Sequence, residues 1–214
     1  MRLTLLFILS LLHVTCARAD EWWAWTFLEM PRPPWSGGIF MANRMDTDDA
    51  SYVQLVSPRV KYAVTPWLDL GLNLSYLEIT PPATGDTYHQ IRPELELNPK
   101  VDLTRQLRLE WRNRMEWRKN EGEDLTISRT RHRLQLAWTL PAPAGPLTRV
   151  FINDEWFFDL HLRHGVENRV VPLGFTFKLA SWSDLDCFYM IDSTRTPDGW
   201  RHESVIGTYL RLRF

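Results

Sequence analysis

From residue 20 onward the chain alternates apolar and polar side chains one by one. That alternation constrains the fold more than any other feature. In Arg108-Leu109-Glu110-Trp111-Arg112-Asn113-Arg114-Met115-Glu116-Trp117-Arg118 every even position is charged, and every odd position except Asn113 is apolar. Successive side chains of a strand point to opposite sides, so this segment has one charged and one apolar face. The same period recurs in Leu68–Tyr76, in Ile91–Asn98, and in Arg129, Arg131, Arg133 and Gln135 set against Leu134, Leu136 and Trp138. No stretch keeps a helical period, which makes the chain all-β. Strands are predicted over 22–29, 38–46, 51–64, 67–79, 87–98, 105–119, 126–139, 149–159, 167–180, 185–194 and 202–214.

The connections fall into two alternating classes. Thr65-Pro66, Asn98-Pro99-Lys100, Pro141–Pro146 and Ser181-Trp182-Ser183 form one. Thr47-Asp48-Asp49, Pro81–Asp86, Asn120–Asp124, His161–Glu167 and Thr196–Gly199 form the other, and are more acidic and polar. Alternating classes imply an up-and-down meander with one class at each end. Bacterial membrane barrels have an even number of strands, so about 10 is preferred, with 22–29 inside or below the barrel. A missed break in 38–64 or 185–214 would give 12.

Residues 1–19 read as a cleaved signal peptide. Arg2 is followed by an apolar run from Leu3 to Val14, too short to span a bilayer, and Ala17-Arg18-Ala19 is a small-x-small cleavage site. The single domain then covers 20–214. His13-Val14-Thr15 lacks the residues that lipoprotein processing at Cys16 would need. Losing Arg2 and Arg18 takes the net charge from -1 to -3, which gives no footing for nucleic acid. Cys187 alone is left, so an internal disulfide is excluded.

Alternation does not say which face is inside. A secreted lipocalin-like barrel would bury the apolar face. Four features favour the opposite, a transmembrane β-barrel. Past Ala19 there are 19 Arg against 4 Lys, and arginine suits enclosed, forked pairing with carboxylates better than open surface. Aromatics mark both strand ends on the apolar face: Tyr62, Trp67, Trp138 and Trp182 at one, Tyr76, Trp117, Trp156 and Phe158 at the other, like the girdles of membrane barrels. The last strand carries Ile206, Leu210, Leu212 and Phe214 on one face, similar to the terminal signal read by outer-membrane assembly machinery. Each strand is long enough to cross a bilayer at a tilt.

The charged faces then line a lumen: Arg92, Glu94 and Glu96; Arg108, Glu110, Arg112, Arg114, Glu116 and Arg118; Arg129, Arg131 and Arg133; Asn153, Glu155 and Asp159. Adjacent strands bring these within reach of one another. An electrostatic plug is favoured over a charged pathway for ions or small anions, because so short a chain closes a narrow barrel. The segments 112–118, 129–134, 153–157 and 167–169 resemble a bacterial family known as domain of unknown function 2490. The Trp-rich opening strand and the C-terminal strand also fit, so the resemblance covers nearly the whole mature chain. It implies an outer-membrane barrel of a Gram-negative bacterium with no assigned activity and no catalytic residues. Val170-Val171-Pro172 departs from the pattern and suggests a bulge or an edge.

No catalytic set or cofactor is expected. His132 shares the outward face with Ser128 and Thr130, and Asp154 is placed near the same height, as a lipid-modifying enzyme of the outer wall would need. Ser128 lies roughly 13 Å along the strand from His132, too far for proton transfer. His161 and His164 make a weak metal pair. The expected partners are membrane lipids and lipopolysaccharide, the barrel assembly machinery and periplasmic chaperones.

Overall fold

The computed structural model describes residues 19–47, 51–82 and 84–214, with the backbone alone for 142–144. The signal-peptide reading of 1–19 lies outside the described residues except for Ala19. Eleven strands follow one another: β1 (Glu21–Arg32), β2 (Trp35–Asp46), β3 (Ser51–Thr65), β4 (Leu68–Ile79), β5 (Tyr88–Asp102), β6 (Leu107–Asn120), β7 (Thr126–Ala144), β8 (Leu147–Asp159), β9 (His164–Ala180), β10 (Ser183–Thr196) and β11 (Gly199–Arg213). Each pairs antiparallel with its chain neighbours, and β1 closes the barrel by pairing parallel with β11, from Glu21↔Val205 to Glu29↔Arg213.

The preferred count of ten is corrected. Residues 22–29 are neither inside nor below the barrel but part of its wall. An even count is forced only where every pair is antiparallel, and the parallel β1–β11 pair lifts that requirement. The seam is fastened at one end by the Asp20 carboxylate, which accepts from Ser204 N (2.8 Å) and Ser204 Oγ (2.9 Å). At the other end Arg213 bridges Glu29 (3.4 Å) and Asp184 (2.7 Å).

Several strands begin or end a few residues from the expected positions, and two of the expected turns are displaced. Asn98-Pro99-Lys100 is not a turn. β5 runs to Asp102, and Leu103 N closes on Leu107 O at 2.8 Å. Pro93 and Pro99 are accommodated because the ladder to β4 is continuous, while that to β6 skips 92–93 and 98–99, where each missing donor would have been needed. β7 also extends through the proline-rich stretch to Ala144, and the turn is left to Gly145-Pro146, with Gly145 at φ +68°. The irregularity expected at Val170-Val171-Pro172 is present as a register shift toward both β8 and β10.

The orientation of the faces is settled by exposure. Leu72 is 60% exposed and Trp67 58%, whereas Glu116 is 0% and Glu94 2%. A soluble barrel would have these reversed. Apolar side chains therefore cover the outside, Tyr62, Trp67, Tyr76, Trp117, Trp138, Trp156 and Trp182 among them, and charges fill the inside. Only a closed sheet can satisfy strand backbone in lipid, and a charge facing midplane lipid would cost about 2–4 kcal/mol. Ile206, Leu210 and Leu212 share the outward face of β11, and Phe214 follows directly after it. Phe214 is 67% exposed, but Ile206 is buried beside its register neighbours Trp22 and Tyr189.

Candidate functional site

Charged side chains converge in the lumen, and along β4–β9 they are held in pairs and forks within and between strands. Arg114 on β6 holds Glu94 Oε2 at 2.9 Å, and its Nε donates to Glu96 Oε1 at 2.7 Å. Glu94 also accepts from Ser75 Oγ (3.0 Å) and Asn73 Nδ2 (3.0 Å) on β4. Glu116 takes Arg118 at 2.6 Å and Arg131 at 2.7 Å, with Arg92 and Arg114 both at 3.8 Å. Glu155 on β8 takes Arg112 at 2.5 Å and Arg131 at 3.2 Å. Nearer the rims, Arg108 pairs with Glu110 at 3.1 Å and Arg129 reaches Glu167 at 3.5 Å.

Three residues grouped with this network behave otherwise. Asp159 caps the β8–β9 turn by accepting from His161 N and Leu162 N, each at 2.9 Å. Asn153 lines the cavity below. Arg133 lies directly across from both Arg112 and Glu155, yet holds no carboxylate, and its Nε has no partner.

The other side of the lumen is aromatic, and period-two reading missed it. One row of register partners runs Trp23, Gly207, Phe188, Gly174, Phe151, Ala137, from β1 round to β7. Large and small residues alternate along it, so each ring lies over a neighbour that has little or no side chain. A Cβ on Gly207 would stand 2.1 Å from the Phe188 ring, and one on Gly174 2.3 Å from the Phe151 ring. Trp25, Phe40 and Tyr209 add a second tier, with Trp25 5.3 Å from Phe188 and 6.1 Å from Tyr209 between ring centroids.

Guanidinium groups join the two sides. Arg44 sits 3.9 Å and Arg169 4.5 Å from the Trp23 ring centre. Arg169 also sits 4.6 Å, and Arg131 4.5 Å, from that of Phe157. Arg169 on β9 reaches Trp23 on β1 past β10 and β11, so this contact crosses the lumen. Arg169 is further held by Glu167 and by Asp192 at 3.3 Å. The series Arg44, Trp23, Arg169, Phe157, Arg131, Glu116 forms a septum from β2 to β6. Every member lies in the half of its strand nearest the longer loops.

Below the septum is a cavity of about 400 Å³, lined by residues of all eleven strands. Its lower wall holds Glu29, Asp69, Lys100, Arg108 and Arg213, all at the short-turn ends of their strands.

On the outer wall His132 Nδ1 lies 2.8 Å from Asn113 Oδ1, while Asp154 accepts from Trp156 Nε1 (3.0 Å) and Asn168 Nδ2 (2.6 Å). The register partner of His132 is Trp156, and that of Asp154 is Leu134. These polar groups satisfy one another, and the structure does not bring Ser128, His132 and Asp154 together. Among the described residues no three His, Cys, Asp or Glu side chains form a metal-holding group.

A closed barrel with an apolar wall and a charged, ring-filled interior has the architecture of a transmembrane β-barrel. A family model described as "Protein of unknown function (DUF2490)" matches residues 26–203, and the chain belongs to that family. No curated protein matches the sequence. Among solved structures, the fold is similar to a bacterial polysaccharide outer membrane secretin, at TM-score 0.52 and 9% identity. The match covers 81% of this chain and 63% of that one. An anion-selective porin from Comamonas acidovorans aligns at TM-score 0.39 and 11% identity, over 82% of this chain and 54% of that one. The chain thus spans less than two thirds of either neighbour's length.

Proposed function

We propose that this chain is a non-enzymatic barrel of a Gram-negative outer membrane, exported through a cleaved signal peptide, with a lumen plugged by its own side chains. The observation that carries the reading is the septum. Trp23 and Phe157 are each 1% exposed and Glu116 0%, and guanidinium groups tie them across the lumen. Arginine–carboxylate forks are rigid and directional, so the plug is held from several strands at once. The outward apolar face and the girdles support insertion in lipid. The Ile206, Leu210, Leu212, Phe214 face supports delivery by the barrel assembly machinery, after passage with periplasmic chaperones. Lipopolysaccharide and phospholipids are the partners of the outer wall, and the short turns face the periplasm.

The test is conductance in planar bilayers of purified protein whose gel mobility shifts on heating. The native barrel is expected to give no reproducible openings. The double variant Trp23→Ala with Phe157→Ala removes the rings on which the septum is stacked, and is expected to open the lumen in the same preparation. Steady, anion-selective openings from the native protein would overturn the plug and favour a pathway.

A further inference from the structure

The cavity beneath the septum is not electrically balanced. Every carboxylate on its wall, from Glu29 and Asp69 at the lower rim to Glu94, Glu155 and Asp186, already holds a cation within 4.0 Å. The cations are not so matched. Among the described residues, no carboxylate lies within that distance of Arg59, Lys61 or Arg133, which all line the cavity. The Arg59 guanidinium donates to Ser57 Oγ at 3.4 Å and lies 3.7 Å from the Phe40 ring centre. Lys61 lies in the field of Glu96, whose carboxylate is taken by Arg114, and in the opposing fields of Arg59 and Arg112. Arg112 and Arg133 sit directly opposite each other across β6 and β7, and like charges so placed are destabilising. Glu155 is taken by Arg112 and Arg131, which leaves Arg133 without a carboxylate of its own. An enclosed charge without a counter-ion is costly, and an anion seated among these groups would relieve it.

The ring-bearing part of the wall supplies a second requirement. Trp25, Phe40, Phe188 and Tyr209 line the same cavity, and Trp25 and Tyr209 are only partly buried. Arg59 lies on Phe40, and the Arg211 guanidinium carbon is 5.2 Å from the Tyr209 ring centre. Cation and ring surface are therefore side by side. A volume of about 400 Å³ is within the range of small-molecule sites.

We infer that this cavity is a binding site for a small ligand carrying an oxyanion beside a flat ring, entered from the short-turn end and closed above by the septum. The oxyanion sits among Arg59, Lys61 and Arg133, and the ring lies on Trp25 and Tyr209. The site works without passage through the barrel, so it stands or falls independently of the conductance result.

The test is titration of the purified, heat-modifiable full chain in detergent, read by calorimetry and by tryptophan emission. Three probes separate charge from ring: benzoate, acetate and benzyl alcohol. Benzoate is expected to bind saturably below about 10 mM, with acetate and benzyl alcohol each at least about tenfold weaker. Lys61→Gln and Arg133→Gln should each weaken benzoate about tenfold, and Lys61→Arg should retain it. Equal binding of acetate would remove the ring from the site, and equal binding of benzyl alcohol would remove the cations. Either result, unchanged affinity in a folded Gln variant, or no saturable benzoate binding overturns the inference. Should both Gln variants fail to assemble, the ranking of the three probes on the native protein decides.

Discussion

Along β5–β8 the lumen-facing positions carry guanidinium and carboxylate groups that hold each other in pairs and forks. From β8 through the seam to β2, the same positions carry rings laid over Gly207, Gly174 and Ala137. Both halves reach nearly complete burial, at Glu116 in one and Trp23 in the other. They do so by different physics. The charged half depends on every partner being present, since an ion left alone in an enclosed site is expensive. The aromatic half depends on shape, since a ring needs a flat floor and glycine provides it. A substitution should therefore do damage by removal in the first half and by addition in the second.

Removal at the centre of the charged half gives the largest effect. Glu116→Ala strips the shared carboxylate from Arg118 and Arg131 and weakens the setting of Arg92 and Arg114. The expected loss is about 3–5 kcal/mol, read as a lower midpoint of urea unfolding from lipid vesicles. Glu155→Ala, with two close partners, should follow at the lower end of that range. A loss as small as that of an exposed pair would show that solvent enters the septum and that the halves do not differ.

Addition in the aromatic half comes next. Gly207→Ala places a Cβ where Phe188 now lies, 2.1 Å from the ring. Overpacking of this kind costs about 1–3 kcal/mol. Phe188→Leu on the same background should restore part of the loss, because it frees the space. If Gly207→Ala is neutral and the double variant gains nothing, the glycine floor does not set the packing.

The two halves were also unequally legible in the sequence. Arg108–Arg118 shows its inside face at once, because charge marks one side and apolar residues the other. β1 does not. Trp22 and Trp23 point in opposite directions but are both apolar, so alternation cannot separate lipid wall from lumen. Val205, Gly207 and Tyr209 are hidden against Ile206 and Leu210 for the same reason. Arg59 and Lys61 did alternate with apolar residues, but β3 carries no other charges to mark its inner face, and Asp192 is followed by the polar Ser193. Asp159 has the right parity for the network, and only three-dimensional structure shows it capping a turn. The strand count was obscured by a rule of parity that a parallel closing pair evades, since no residue in β1 records which partner it takes.

The smallest effect is expected where the two halves meet. Arg169 belongs to both: its guanidinium lies against Trp23 and Phe157, and it pairs with Glu167 and Asp192. Arg169→Lys keeps the charge and so keeps most of what the carboxylates require. It loses the flat, forked group that can lie on a ring while donating from its edge. The expected cost is about 1 kcal/mol, the scale of one cation–ring contact. Arg169→Gln removes the charge as well and leaves two carboxylates short of a partner, so it should cost clearly more. Measured by urea unfolding in vesicles, the gap between the two variants separates the charge's contribution from the stacking contribution at a single position. If Lys and Gln are equally damaging, stacking dominates and the septum belongs to the aromatic half. If Lys is fully tolerated, the septum belongs to the ion network, and Trp23 and Phe157 only fill space around it.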